Sequence, residues 1–91
     1  MQYRAIKTSD NDNVAIATIF IPQKARFVSE GKYIMANHDI PIGHKVALKT
    51  LKKGGAVIRY GETIAQATEN IEVGDWVHVH NTTLPPSYYE L

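Results

Sequence analysis

Cysteine is missing from the 91 residues of this chain, which excludes disulfides, thiolate metal sites and thiol nucleophiles. An excess of one charge is missing too, because ten Lys and Arg against nine Asp and Glu leave a formal charge of +1. Such a chain has no basic field to attract nucleic acid or an anionic membrane, so neither is expected as a partner. The lack of cysteine and of a signal-peptide pattern at the N-terminus predicts a cytoplasmic protein.

Long hydrophobic runs are absent as well. The longest nearly apolar run, "VAIATIFI" at residues 14–21, is far shorter than the roughly 20 residues that span a bilayer, and it predicts a buried strand. No stretch keeps the i, i+3, i+4, i+7 apolar spacing of an amphipathic helix for three turns. The sequence therefore argues against both a transmembrane protein and a helical one.

Short β-branched and aromatic segments alternate with clusters of Gly, Asn, Asp and Pro, the pattern of strands joined by tight turns. It predicts one all-β domain over residues 1–91 with at most one short helical turn. "ETIAQATEN", residues 62–70, fits either that turn or a loop. The predicted strands cover residues 3–7, 14–21, 26–28, 33–36, 44–50, 56–60 and 75–80.

One short pattern occurs three times, in "DIPIGHKVAL", "TLKKGGAVIRY" and "NIEVGDWVHV": an apolar residue, two variable residues, a glycine and then a strand. Gly43, Gly54 and Gly74 stand where a turn often needs a positive φ, which glycine adopts without a Cβ penalty. Three turns of one kind are predicted. The pattern alone carries no function, since small β proteins commonly reuse such turns.

The stretch "WVHVHN" near the end of the chain contains two histidines two residues apart. Successive strand residues face opposite sides, so Val77 and Val79 are predicted to enter the core while Trp76, His78 and His80 share the other face. Since Trp76 is too large to stay exposed without a partner, that face is a candidate contact surface. The alternative is that polar residues merely line a sheet edge.

On one strand face, His78 and His80 would have Cα atoms about 6.6 Å apart, close enough to share a metal ion. A catalytic metal generally needs three protein ligands and an open position, so this pair is incomplete. Further ligands depend on what the fold brings near, and the candidates are His38, Asp39, His44 and Asp75.

Two other residues stand out by their position on predicted strands. His44 begins a strand on the apolar face that includes Val46, which predicts a partly buried, hydrogen-bonded imidazole. Arg59 projects opposite Ile58 and Tyr60. It is either a solvated surface residue or a planar bidentate ligand for a substrate carboxylate.

The blocks "HDIPIGHKVAL", "VIRYGETIAQA" and "GDWVHVHN" together resemble the small N-terminal SAF-type module of the altronate and galactarate dehydratase family. The match covers residues 12–81 and leaves 82–91 as a tail. The blocks are also similar to the separate small subunit of sulfolactate sulfo-lyase, which closes on His-x-His-Asn. This resemblance implies a β-clip fold. Ala65 stands where the family usually has glycine, which puts a close backbone approach at this position in doubt.

The resemblance implies metal-assisted elimination, usually with iron, in which a sugar acid loses water or a sulfonated hydroxy acid loses sulfite. Because the family's large catalytic region is not in this sequence, the chain is expected to be inactive alone and to complete a lyase site on a large catalytic subunit. The alternatives are a sulfo-lyase small subunit and a stand-alone binding module; a homo-oligomer stays open. No tightly bound metal is expected in the isolated chain.

The same resemblance implies the roles of individual positions. Those implied to bind the hydroxy-acid substrate are His44, Lys45, Arg59, Tyr60 and Asn81. Those implied to contact the metal, with further ligands from the partner, are His78 and His80.

Overall fold

The computed structural model describes residues 2–89, so Met1 and the last two residues of the predicted tail lie outside the described part. Within it, short strands and one 3-10 helix, at Pro86–Tyr89, make up the regular structure. The strands are β1 (Tyr3–Ile6), β2 (Val14–Ala17), β3 (Arg26–Ser29), β4 (Lys32–Met35), β5 (Lys45–Ala47), β6 (Ala56–Arg59), β7 (Glu62–Ala67), β8 (Trp76–Val77) and β9 (Thr82–Thr83). The predicted all-β class is confirmed. No helix among these residues has the length and apolar character needed to cross a bilayer.

The strands form two sheets. One has six strands in the order β4-β3-β1-β2-β5-β8, and the other has three in the order β6-β7-β9. Neighbouring strands are antiparallel except β1 and β3, which are parallel. Because β2 and the β6–β7 hairpin are in contact, the small sheet is held against the large one.

The core consists of two apolar clusters. The first contains Phe27, Ile21, Ile40 and Val46, and the partly buried Trp76 packs against it. The second contains Val14, Ala47, Val57, Ala67, Ile71 and Val77. Since Trp76 and Val77 are neighbours on β8, the alternation of the strand sends one side chain to each cluster.

The predicted turns at Gly43, Gly54 and Gly74 are confirmed, because all three glycines have φ between 81° and 92°. In each turn an N–H donates to the carbonyl three residues earlier, as a type II turn requires. A fourth turn of this kind has Lys24 at the same position, with φ 72°. The sequence pattern missed it because lysine replaces the glycine.

The four turns belong to an internal structural duplication that relates residues 21–48, the first half, to residues 51–79, the second half. In the first half the N–H of Lys24 donates to the carbonyl of Ala36 at 2.8 Å, and in the second half Gly54 donates to Ala67 at the same distance. Each half also closes through one isolated bridge, Ile21 with Ile40 and Leu51 with Ile71. The halves thus repeat one arrangement of turn, hairpin, turn and strand.

The two halves meet where β5 pairs with β8. Lys45 lies opposite Val77 and Val46 lies opposite Trp76, so equivalent residues exchange places across the pair. This is the pairing that a two-fold axis between the halves produces.

The structure corrects several sequence predictions. The predicted strand 14–21 ends at Ala17, after which Phe20 is 47% exposed and Ile21 makes only a bridge. Residues 62–67 form β7, which pairs with β6 across a turn where Tyr60 and Gly61 both have positive φ. A bulge in this hairpin inserts Ile64 between the paired residues Thr63 and Ala65, and it breaks the alternation that would have indicated a strand.

Candidate functional site

The histidine-rich stretch leaves the sheet earlier than predicted. β8 ends at Val77, and the turn that follows is closed by the N–H of Asn81, which donates to the carbonyl of His78 at 3.2 Å. Val79 is therefore 79% exposed, and the prediction that it anchors the core with Val77 is wrong. The physical reason is that the chain turns after Val77, so strand alternation no longer applies.

Asn81 holds this turn in place. Its side chain is only 4% exposed. Its Nδ2 donates to the carbonyl of Trp76 at 2.9 Å, and its Oδ1 accepts from the N–H of His78 at 3.0 Å. The hydroxyl of Thr82 adds a bond to the His78 carbonyl at 2.8 Å. The fold thus uses the Asn81 amide to fix His78, and its predicted contact with substrate stays a prediction.

All four histidines of the chain contact Trp76. The indole Nε1–H donates to Nδ1 of His44 at 3.2 Å, and the backbone N–H donates to Nδ1 of His38 at 3.2 Å. The ring of His78 stacks on the indole with centroids 5.3 Å apart and an interplanar angle of 8°, while the His80 ring lies 4.9 Å away. The hydrogen bond predicted for His44 is confirmed, and we call these five residues the Trp76 cluster.

The predicted metal pair, His78 and His80, packs against the indole ring of Trp76. His78 also approaches His44, with ring centroids 4.7 Å apart. In residues 2–89 no three His, Asp or Glu side chains are arranged to hold one metal ion. Both acids considered as further ligands already accept hydrogen bonds, Asp39 from the N–H of Gln23 and Asp75 from the Asn37 amide. The chain therefore offers imidazoles without a complete ligand set.

Lys45 and Arg59 form the charged part of the site. Lys45 begins β5 and lies opposite Val77. Partial burial lowers the pKa of its ammonium group, and the positive charge of Arg59 lowers that pKa further. Among residues 2–89 the carboxylates close to a basic group lie beside Lys7, which pairs with Glu30, and beside His38, whose Nδ1 is 4.0 Å from Asp75, so neither Lys45 nor Arg59 has an acidic partner there.

The Arg59 guanidinium is held by its neighbour Tyr60. Its Nη2 donates to the Tyr60 hydroxyl at 3.1 Å, and its central carbon lies 4.7 Å from the centre of the Tyr60 ring. The buried Nε of Arg59 has no hydrogen-bond partner among the described residues. Since an unpaired buried donor is costly, this group favours an acceptor from outside the chain.

Asp12 and Asn13 fix the hairpin that holds Arg59, and sequence reasoning missed both. Asp12 is 1% exposed and its carboxylate accepts from the N–H groups of Tyr60, at 3.1 Å, and Gly61, at 2.8 Å. The Asn13 amide accepts from the N–H of Ile58 and donates to the Ala56 carbonyl, so it takes the place of a neighbouring strand on β6. A short polar "DN" within "SDNDN" gives no sequence signal for this role.

A cleft of about 440 Å³ opens beside these groups. Its polar side includes Lys45 and His78, and its apolar side comes from β7 and the segment after the histidine turn. The cleft also contains Ala65, noted in the sequence only for its replaced glycine, and four residues that the sequence did not indicate, namely Ile64, Thr82, Thr83 and Leu84. They were missed because β7 and β9 were not predicted as strands.

The cleft therefore brings together part of the predicted site. Lys45 and His78 line it. His44 and Arg59 are not among its lining residues: His44 contacts the His78 ring, and the charge of Arg59 acts on Lys45. Cationic and imidazole groups beside an apolar wall are chemically suited to a small anionic organic molecule.

Comparison with known proteins agrees with this class of module. The sequence profile of the altronate/galactarate dehydratase SAF domain matches residues 3–85, and the chain belongs to this family. The resemblance seen in the three sequence blocks is confirmed. The curled all-β sheets are consistent with the expected β-clip fold.

Individual relatives include enzymes much longer than this chain. It is 38% identical over 77 residues to an altronate dehydratase of Bacillus subtilis (strain 168), a match that covers 85% of this chain and 16% of the enzyme. It is 40% identical over 80 residues to the galactarate dehydratase (L-threo-forming) of Escherichia coli (strain K12), covering 88% of this chain and 15% of the enzyme. The chain thus spans about one sixth of these relatives.

A third relative is shorter. The chain is 56% identical over 48 residues to the (2R)-sulfolactate sulfo-lyase subunit alpha of Paracoccus pantotrophus, which covers 53% of this chain and 72% of that subunit. The family therefore occurs both as a small part of a long enzyme and as a subunit.

Proposed function

We propose that this chain is the small module of a sugar-acid dehydratase or related lyase, and that it binds the carboxylate of a hydroxy-acid substrate while a larger catalytic chain completes the site. Family membership supports the enzyme class. The small share of the altronate dehydratase that the chain matches supports a large partner. The chain alone is expected to be inactive.

The observation that carries the proposal is the pair of cations Lys45 and Arg59. They repel each other, they are partly withdrawn from water, and residues 2–89 offer neither of them an acid. A bound carboxylate would remove the repulsion and supply an acceptor for the unpaired Nε of Arg59. The neighbouring apolar residues Ile64 and Ala65 would shield that ion pair from water and strengthen it.

The imidazoles give this chain a second role in the proposed site. Elimination next to a carboxylate needs groups that accept and donate protons, and His78 lies in the cleft beside Lys45. A divalent metal, iron by family resemblance, would supply Lewis-acid stabilisation of the developing negative charge. His78 and His80 give at most two ligands for it, so we assign the remaining ligands to the large chain.

The second candidate is the small subunit of a sulfolactate sulfo-lyase. It is favoured by the 56% identity to a subunit alpha, of which the match covers 72%. A sulfonate and a carboxylate both suit a pair of cations, so the Lys45–Arg59 pair accepts either substrate. A cytoplasmic location is part of both proposals.

Reconstitution tests the proposal. The purified chain, a large catalytic chain of the family and their mixture are each assayed with iron on altronate, galactarate and sulfolactate. We expect turnover with the mixture and none with the small chain, and the preferred acid distinguishes the two candidates. Turnover by the small chain alone contradicts the need for a partner, whereas an unchanged rate on adding it leaves only a binding module.

A further inference from the structure

The duplication places a second pocket at the position equivalent to the cleft. In the second half Ala65 and Val79 line the cleft. Their equivalents in the first half, Ile34 and Leu48, line a separate pocket of about 120 Å³. We call it the lysine pocket because its rim contains Lys7, Lys32 and Lys49.

Each half of the duplication has a buried polar atom without a partner among the described residues, and the two atoms belong to equivalent residues. Arg59 ends β6 and Ser29 ends β3, each just before a turn with two positive φ values. The two buried side-chain atoms without a hydrogen-bond partner in residues 2–89 are the Nε of Arg59 and the Oγ of Ser29. Ser29 is 3% exposed and lines the lysine pocket, so a ligand in this pocket is placed to supply the acceptor that its hydroxyl lacks.

The charges around the lysine pocket favour an anion. Three lysines face two carboxylates, Asp12 and Glu30. Both acids are already engaged, since the oxygens of Asp12 accept from backbone N–H groups and from Thr8, and Glu30 pairs with Lys7 at 3.6 Å. Lys32 and Lys49 have no ion pair within the described residues.

We propose that the lysine pocket binds one small oxyanion, which accepts a hydrogen bond from the Ser29 hydroxyl and is neutralised by Lys32 and Lys49. The volume is suitable for a small ion. The pocket of about 120 Å³ has room for about four water molecules, each of which takes up about 30 Å³ in the liquid, and an oxyanion of four or five heavy atoms is of similar size. The two halves then hold one anion site each, with arginine as donor in one and serine in the other. This second site does not depend on the proposed enzyme activity.

Amide chemical shifts of the ¹⁵N-labelled chain, titrated with inorganic sulfate, inorganic phosphate and acetate, test the proposal. Chloride at equal ionic strength corrects for screening. We expect saturable shifts centred on Ser29 and Lys49. Comparison of sulfate and phosphate, which are tetrahedral, with acetate, whose carboxylate is planar, shows which shape of anion the pocket prefers. Ser29→Ala should weaken binding about tenfold, the loss of one hydrogen bond to a charged group.

Matched variants separate this pocket from the cleft. Lys49→Gln should weaken binding, whereas Lys53→Gln, on an exposed turn away from the pocket, should not. Arg59→Lys should leave the shifts around Ser29 unchanged, so failure of the cleft as a substrate site does not affect the result. Absence of saturable shifts around Ser29, or equal thermal stabilisation of Ser29→Ala and the parent chain by sulfate, would overturn the proposal and leave a pocket for water only.

Discussion

The indole N–H of Trp76 donates to Nδ1 of His44 across 3.2 Å, which joins the start of β8 to the residue before β5. Because Nδ1 accepts this bond, neutral His44 has its ring proton on Nε2. A tryptophan from the core of the domain thus determines which nitrogen of His44 can donate to a ligand.

Trp76→Phe tests this relationship. The phenyl ring keeps most of the packing but has no N–H, so His44 is expected to become a mixture of tautomers. Long-range ¹H–¹⁵N spectra of the imidazole nitrogens measure that change. His38 is an internal control, because its Nδ1 accepts from the backbone N–H of residue 76, which the substitution retains. An unchanged His44 spectrum would show that another group fixes the tautomer.

Gly43 and Gly74 occupy equivalent turns with unequal surroundings, which makes them a matched pair. A Cβ on Gly43 would meet nothing within 4 Å, so Gly43→Ala should cost about 1–2 kcal/mol for the positive φ alone. A Cβ on Gly74 would lie 2.2 Å from the carbonyl oxygen of Met35. Gly74→Ala should therefore lose more than about 3 kcal/mol in urea unfolding. Equal losses would mean that the Gly74 turn moves away freely.

These turns also show how far the sequence predicts the fold. Glycine reveals a positive φ, so the turns at Gly43 and Gly74 could be predicted, but Lys24 adopts the same conformation without any such signal. Alternation located the cores of most strands, yet it failed at Val79, where Asn81 closes a turn through hydrogen bonds that no periodicity expresses. Local patterns determine strands and turns, whereas tertiary hydrogen bonds determine where strands end.

The site was predictable in its residues and not in its arrangement. The family blocks pointed to His44, Lys45 and Arg59, but the repulsion between Lys45 and Arg59 requires the two sheets to fold together. Asp12 escaped notice because its role depends on a hairpin 48 residues further along the chain. Contacts of this separation leave no mark in a single sequence.

Arg59→Lys tests carboxylate binding in the assembled enzyme. A point charge replaces a planar bidentate donor, so KM for the hydroxy acid should rise about tenfold while kcat changes little and the fold is retained. Steady-state kinetics measure KM and kcat, and circular dichroism shows whether the fold is retained. Arg26→Lys, at an exposed position of β3, is the matched control. Unchanged kinetic parameters would return Arg59 to the role of a surface residue.

Asp12 predicts a pH dependence of stability. Burial raises the pKa of its carboxyl, but hydrogen bonds from Thr8 and from the N–H groups of Gly61 and Tyr60 outweigh burial and hold the pKa below its ordinary value. A carboxyl with a depressed pKa stabilises the fold at pH values above its unfolded pKa of about 3.9. This stabilisation is lost as the pH falls through the lower folded value.

Asp12→Asn should therefore be less stable than the parent chain at neutral pH, and the difference should shrink below about pH 4. Urea unfolding at a series of pH values measures it, with Asp10→Asn as an exposed control. A difference that stays constant down to the lowest pH would show that the Asp12 charge does not contribute.

His78 and His80 are the last test, because their role depends on the partner. Both rings pack on Trp76, and the described residues provide no third ligand beside them. Two imidazoles alone bind iron weakly, so equilibrium dialysis of the isolated chain should show no tightly bound iron. The double variant His78→Ala with His80→Ala should fold, since the turn is closed by Asn81 and Thr82. It should nevertheless lose activity in the assembled enzyme, and the two single variants show which ring is required. Full activity of the assembled double variant at limiting iron would make both histidines part of the scaffold around Trp76.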